Sequence, residues 1–252
     1  GSEMCIRDSS YGLTDYHHLS RFSSFDVDWN GDGLNDIFMN FASHPEIGSF
    51  SGLLIQEKEN NFIRFRYDPT YKVFFQGDAG NIAKSVGDFN NDGKLDLWAG
   101  NIRRRDDVFL NSGAIEWSNS HSPEFLTATQ DIVAGDYNGD GWLDAFTPGL
   151  EMVNPPAGPR YSSLLYKNIT PDSTSSLFNW IKLNLEGANN EILNNGWSEK
   201  ANKSAIGARA VVTLSDGSIL SREVIAGKGH GSMDALELHY GVGYANQVQS
   251  IT

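Results

Sequence analysis

One nine-residue acidic loop occurs three times in this chain, and it constrains the fold more than any other feature. It reads Asp28-Trp29-Asn30-Gly31-Asp32-Gly33-Leu34-Asn35-Asp36, then Asp88-Phe89-Asn90-Asn91-Asp92-Gly93-Lys94-Leu95-Asp96, then Asp136-Tyr137-Asn138-Gly139-Asp140-Gly141-Trp142-Leu143-Asp144. Each copy sets oxygen-bearing side chains at loop positions 1, 3, 5 and 9 and glycine at 6. That is the spacing a hard cation such as calcium requires: alternate residues of a tight turn converge on one centre, glycine permits the bend, and position 7 adds its backbone carbonyl. The candidate Ca2+ ligands are therefore Asp28, Asn30, Asp32, Leu34 and Asp36; Asp88, Asn90, Asp92, Lys94 and Asp96; and Asp136, Asn138, Asp140, Trp142 and Asp144, with Leu34, Lys94 and Trp142 acting through the main chain. A single Asp/Asn/Gly turn is common on any surface. Three copies that keep every acidic position are a pattern.

The loops are not EF-hands, which need a bidentate Glu at position 12 and flanking helices. Position 12 is Met39, Ala99 and Thr147. Short strand-like runs stand on both sides, so the element reads as strand, calcium loop, strand. Asp at position 9 takes over the charge that Glu supplies in an EF-hand. Three carboxylates per loop repel one another when empty and are nearly neutralised by one divalent ion.

The balance of charge is acidic, 32 Asp and Glu against 19 Lys and Arg, a formal −13. That argues against nucleic acid, which wants a basic face. No apolar run approaches the ~18 residues of a membrane helix. Helical periodicity is nearly absent, and short strands with Gly/Asn/Asp turns predict an all-β chain. The repeat is longer than the loop: Asp28 to Asp88 is 60 residues and Asp88 to Asp136 is 48. Periods of this order with several strands each predict propeller blades. The strands expected are 22–27, 37–41, 53–56 and 62–67; then 82–86, 97–99 and 108–110; then 132–134, 145–147 and 164–166. The Pro-rich loop 154–160 interrupts the third unit.

The phrases Gly135-Asp136-Tyr137-Asn138-Gly139-Asp140-Gly141 and Leu164-Leu165-Tyr166-Lys167-Asn168 make residues 10–170 resemble FG-GAP/VCBS-type repeats, the calcium-loop blades of integrin-like β-propellers. Such rings usually have seven blades, and about three are read here. A polar stretch at 171–178 is the expected linker. Beyond it, 179–252 resembles the ASPIC/UnbV domain, carried by Asn202-Lys203-Ser204-Ala205-Ile206-Gly207-Ala208 and by alternating strands around an Asp216-Gly217 hairpin turn. Residues 188–201 read as an insertion, and His230 stands where that family usually has an aromatic residue.

Residues 1–9 resemble the conceptual translation of a sequencing adapter, and the lone cysteine, Cys5, lies among them. The true amino terminus is therefore expected to be missing, and the last residues to lie inside a strand. His17-His18 reads as surface, Arg103-Arg104-Arg105-Asp106-Asp107 as a solvated, self-compensating loop, and the aromatics at loop position 2 as blade-packing core. No nucleophile–base set, phosphate loop or zinc spacing is present in the sequence. The resemblance implies a calcium-binding, non-catalytic recognition or adhesion protein, extracellular or at the cell surface, with a protein or carbohydrate ligand. The alternative is a propeller-based polysaccharide-degrading enzyme whose catalytic part lies outside these residues.

Overall fold

The computed structural model describes residues 21–44, 48–59, 62–75, 83–101, 106–111, 118–121, 126–127, 129–149, 160–161, 163–169, 178–187, 202–228 and 231–252. The chain is all-β, with no helix among the described residues. The expectations on His17-His18, the arginines 103–105, the loop 154–159, the linker 171–177, the insertion 188–201 and His230 lie outside them.

Three antiparallel sheets follow one another. The first joins β1 (Arg21–Val27), β2 (Asp36–His44), β3 (Gly48–Glu59) and β4 (Phe62–Phe75) in sequence order. The second joins β5 (Ala83–Gly87), β6 (Asp96–Gly100), β7 (Asp107–Leu110) and β8 (Ser118–His121) in the same way. After β9 (Leu126–Thr127), the third joins β10 (Val133–Gly135), β11 (Asp144–Pro148) and β13 (Ser163–Tyr166). Strand β12 (Arg160–Tyr161) instead pairs in parallel with β9. Three strands escape the sequence reading. β8 is the polar run Ser-Asn-Ser-His, and β9 and β12 are two residues each, so none carries alternation.

Side-chain alternation stacks the sheets. Successive strand residues point to opposite faces. In β6, Leu97 and Ala99 enter a cluster with Trp29, Phe38, Leu53 and Phe109, between the first and second sheets. Trp98 points the other way, into a cluster with Ala83, Phe89, Val108, Ile132 and Ala145, between the second and third. The middle sheet is covered on both faces, which is why all five residues of β6 are buried. At the far side of the third sheet the cross-strand pair Phe146 and Leu165 is exposed.

A third hydrophobic cluster belongs to the C-terminal part alone: Ala210, Val212, Leu214, Val224, Leu238, Tyr240 and Val242. It lies between a sheet of β14 (Asn179–Leu183) with β17 (Leu238–Gly243) and a sheet in the order β16 (Ile219–Glu223), β15 (Arg209–Leu214), β18 (Val248–Ile251). Strand β15 alternates half-buried and buried along its length. Buried Tyr240 donates its hydroxyl proton to the Ala210 carbonyl at 2.8 Å across this core. Among the described residues, no strand of this module pairs with a strand of the repeats.

The run Asp106-Asp107 departs from its solvated reading, for both residues are buried. Asp106 Oδ1 accepts the Asn101 amide at 2.9 Å, and Oδ2 accepts the Thr129 hydroxyl at 3.1 Å. Desolvation raises its pKa to about 6. Leu97 is fully buried between sheets, so Leu97→Ala is expected to destabilise the chain by about 2–5 kcal/mol. Phe62→Ala, at a 78 % exposed position, should change it little. Urea midpoints at constant slope measure both.

Candidate metal centre

Each acidic loop closes a β-hairpin in the same register. The residue before position 1 pairs with position 9: Val27 with Asp36, Gly87 with Asp96, Gly135 with Asp144. The chain can turn so tightly because two positions take left-handed backbone. Position 6 is Gly33, Gly93 and Gly141 at φ of 87°, 93° and 87°. Position 4 is Gly31, Asn91 and Gly139 at 74°, 59° and 75°, and asparagine tolerates that region better than other side chains. Position 4 is a second backbone requirement that the acidic pattern concealed.

The side-chain oxygens hold the loop's own amides in one repeated scheme. The position 6 N–H donates to position 1: Gly33 to Asp28 at 3.0 Å, Gly93 to Asp88 at 2.8 Å, Gly141 to Asp136 at 2.7 Å. The position 5 N–H donates to the Asn at position 3, at 3.0, 3.1 and 2.9 Å. The position 7 N–H of Leu34, Lys94 and Trp142 donates to the Asp at position 5, at 2.8, 2.9 and 3.0 Å. Positions 1, 3 and 5 are thereby drawn around one turn.

Position 9 does something else. Asp36, Asp96 and Asp144 are buried, and both oxygens of each accept backbone amides. One oxygen takes the position 2 N–H of Trp29, Phe89 or Tyr137, at 3.1, 2.9 and 3.2 Å. The other takes the N–H of Gln56 within the third strand of its sheet, or of Asn111 or Asn168 just beyond it, at 2.8, 2.8 and 2.7 Å. This aspartate staples the loop to the third strand of its own sheet. The recurring Leu110-Asn111 and Lys167-Asn168 were the sequence signal for it. Among the described residues, no three acidic or histidine side chains stand close enough to be a ready metal cage. The donor set is mixed: carboxylates, an amide oxygen and main chain.

The electrostatics of the loops differ by burial. Desolvation raises Asp88 to about 7 against the pull of Arg222, and Asp96 to about 8; repulsion from Asp92 adds to both, and from Asp88 to the second. Asp36 is raised to about 6 for the same reasons. Asp136 goes the other way: burial acts upward, but the Lys182 ammonium and the amides of Gly141 and Gly139 outweigh it and hold the carboxyl below its ordinary value. Asp28 Oδ1 is buried with no hydrogen-bond partner among the described residues. An orphaned carboxylate oxygen beside converged acids is what a cation site offers, so the residues present fit a divalent ion. Of the position 2 aromatics, Trp29 and Phe89 are core as expected. Tyr137 is 54 % exposed and is not.

Residues 88–147 match the FG-GAP-like repeat, and residues 198–252 match the family described as ASPIC and UnbV. The chain thus carries an FG-GAP-like repeat followed by an ASPIC/UnbV domain. The first sheet displays the same loop and register as the matched repeat, and β14 extends the C-terminal sandwich ahead of the matched residues. No curated protein matches the chain.

Two measurements separate the stapling role of position 9 from the role of position 5. Asp96→Ala removes the acceptor of the buried Phe89 amide and of the half-buried Asn111 amide, which is expected to cost about 2–4 kcal/mol even in chelator. Asp92→Ala, at a half-buried position, should cost well under half of that in chelator. Denaturation of both variants with and without chelator checks the difference. Asp88 and Asp96, raised above the 3.8 of an unperturbed Asp, make the folded chain retain protons the unfolded chain has released. Their contribution is therefore most favourable below about pH 4 and is lost as pH rises through about 7 and about 8, so stability in chelator should fall across that window.

Proposed function

We propose that the chain is a calcium-binding, non-catalytic recognition or adhesion protein that works at the cell exterior, with calcium locking the loops between strands. The observation that carries the reading is the single hydrogen-bond scheme repeated in all three loops, which holds positions 1, 3 and 5 around one turn. Such conservation of geometry within a chain is what a shared ligand demands and what solvated turns do not need. FG-GAP repeats typically bind calcium, which supports the assignment of the ion.

The residues that would hold it are Asp28, Asn30, Asp32, the Leu34 carbonyl and Asp36 in the first loop, with their counterparts in the second and third. A bound divalent cation would neutralise two of the three carboxylate charges that each loop carries. The chain's own part is to orient those oxygens through its backbone amides and to keep Asp36, Asp96 and Asp144 away from solvent. Site affinities in the modest range of extracellular calcium modules suffice for this role. A protein or carbohydrate ligand is the expected partner.

Calcium that binds only the folded chain raises its stability by mass action, about 2.7 kcal/mol for a site at a hundred times its Kd. The melting temperature should rise in calcium relative to chelator, and equal values would overturn the reading. Titration calorimetry should count three ions, falling by one in each of Asp28→Ala, Asp88→Ala and Asp136→Ala. Lys94→Ala should leave the count unchanged, because position 7 acts through its carbonyl. Turnover of an acidic polysaccharide by the full-length protein would overturn the non-catalytic part.

A further inference from the structure

The three loops turn toward the C-terminal module, and each meets a lysine or arginine of it. Lys182 of β14 places Nζ 2.7 Å from Asp136 Oδ2 in the third loop. Arg222 of β16 is half-buried and donates from Nη2 to the Gly93 carbonyl of the second loop at 3.3 Å, beside Asp88. Arg209 of β15 donates to the Gly33 carbonyl and the Asn35 side chain of the first loop, with Nη1 3.9 Å from Asp28 Oδ2. The position 6 carbonyl is the common target. In the third loop His239 of β17 completes the set, its Nε2 lying 2.9 Å from the Gly141 carbonyl.

The main chains also touch. The Gly243 amide donates to the Asn91 carbonyl at 2.9 Å, and the Ala235 amide to the Ala134 carbonyl at 3.3 Å. Gly241 stands so close to the second loop that a Cβ there would run into Asp88 Oδ2 and the Asn91 main chain. None of the three hydrophobic clusters crosses between repeats and module. A cavity of about 140 Å3 lies between them, lined in part by Asp28, Leu143, Arg209 and Arg222. The contacts that reach the loops themselves are made largely by charge and hydrogen bonds.

We propose that the acidic-loop face is the docking surface for the C-terminal module, and that docking and divalent-ion loading oppose each other because both draw on the same carboxylates. The second half rests on the calcium reading above. Each loop carries three carboxylates. One divalent ion leaves a single negative charge, and one module cation cancels it, so the fully loaded, docked face is neutral but crowds two cations around each set of acids. The sign follows from the loops themselves. All three keep the position 5, 6 and 7 amide bonds described above although their module donors differ, an arginine, an arginine and a lysine with a histidine. Those shared bonds hold under every donor, so the direct effect of the module on an ion is the repulsion between like charges, worth a factor of ten or more at a few ångströms in a partly buried site. By reciprocity, an ion weakens docking by the same factor by which docking weakens the ion.

The test uses the full chain with Lys182→Gln and Arg209→Gln, both at partly exposed positions, and Arg64→Gln as a control. Arg64 pairs with Glu57 at 3.0 Å on the first sheet, away from the loops, so its loss removes the same charge elsewhere. In chelator, amide exchange at Gly243 and Ala235 should be about tenfold faster in the double variant than in the wild type or the control. Unchanged exchange overturns the docking surface. In calorimetry, the calcium Kd of the third loop should tighten about tenfold in Lys182→Gln and stay put in Arg64→Gln. Adding calcium to the wild type should speed exchange at Gly243. An unchanged or weaker Kd in Lys182→Gln, or slower exchange in calcium, overturns the opposition. If no variant binds calcium, the calcium reading fails and the opposition with it, while the exchange result in chelator still decides the docking surface.

Discussion

The carboxylate at loop position 9 is the constraint on which the repeats depend. A buried acid is costly unless each of its oxygens is satisfied. Here Asp36, Asp96 and Asp144 each accept two main-chain amides, one at the start of the loop and one at the third strand of the sheet. A side chain that ties two separate stretches of backbone fixes where the loop sits on its sheet. The apolar residues then stack sheet on sheet, and the open end of each turn is left facing one side.

Burial sets how strongly the three loops feel their charge. In the second loop desolvation dominates for both Asp88 and its neighbour Arg222: the acid is raised and the guanidinium lowered, so removal from water outweighs their mutual attraction. In the third loop Lys182 is partly exposed and meets Asp136 directly, and there the attraction wins. Buried ion pairs are often poor stabilisers. Their value in this protein is that they say where the module sits.

Much of this was legible in the residues. The spacing of the acids gave the loops, the period-2 runs beside them gave nearly every strand of the repeats, and Asp216-Gly217 marked the hairpin between β15 and β16. What stayed hidden was of two kinds. Strand β8 carries four polar residues and is held by pairing to β7, a tertiary fact without a local pattern. Lys182, Arg209 and Arg222 each look like an ordinary strand-surface cation. Only the folded chain brings residues from three separate strands onto three loops, Arg209 and Asp28 being 181 positions apart (209 minus 28). Asp106 misled for the opposite reason: beside a run of arginines it reads as surface, yet Asn101 and Thr129 close over it.

Gly241 has a consequence for ancestry. Its bare α-carbon lies where any side chain would strike Asp88 and Asn91. A module of this kind carrying even alanine there would have to sit farther out, and the arginine beside it would lose its reach to the loop. Repeats and module are thus cut to each other like a key and its ward. Exchanging the C-terminal piece between proteins by recombination would succeed only where the incoming strand keeps that notch, so the two halves are expected to have descended together.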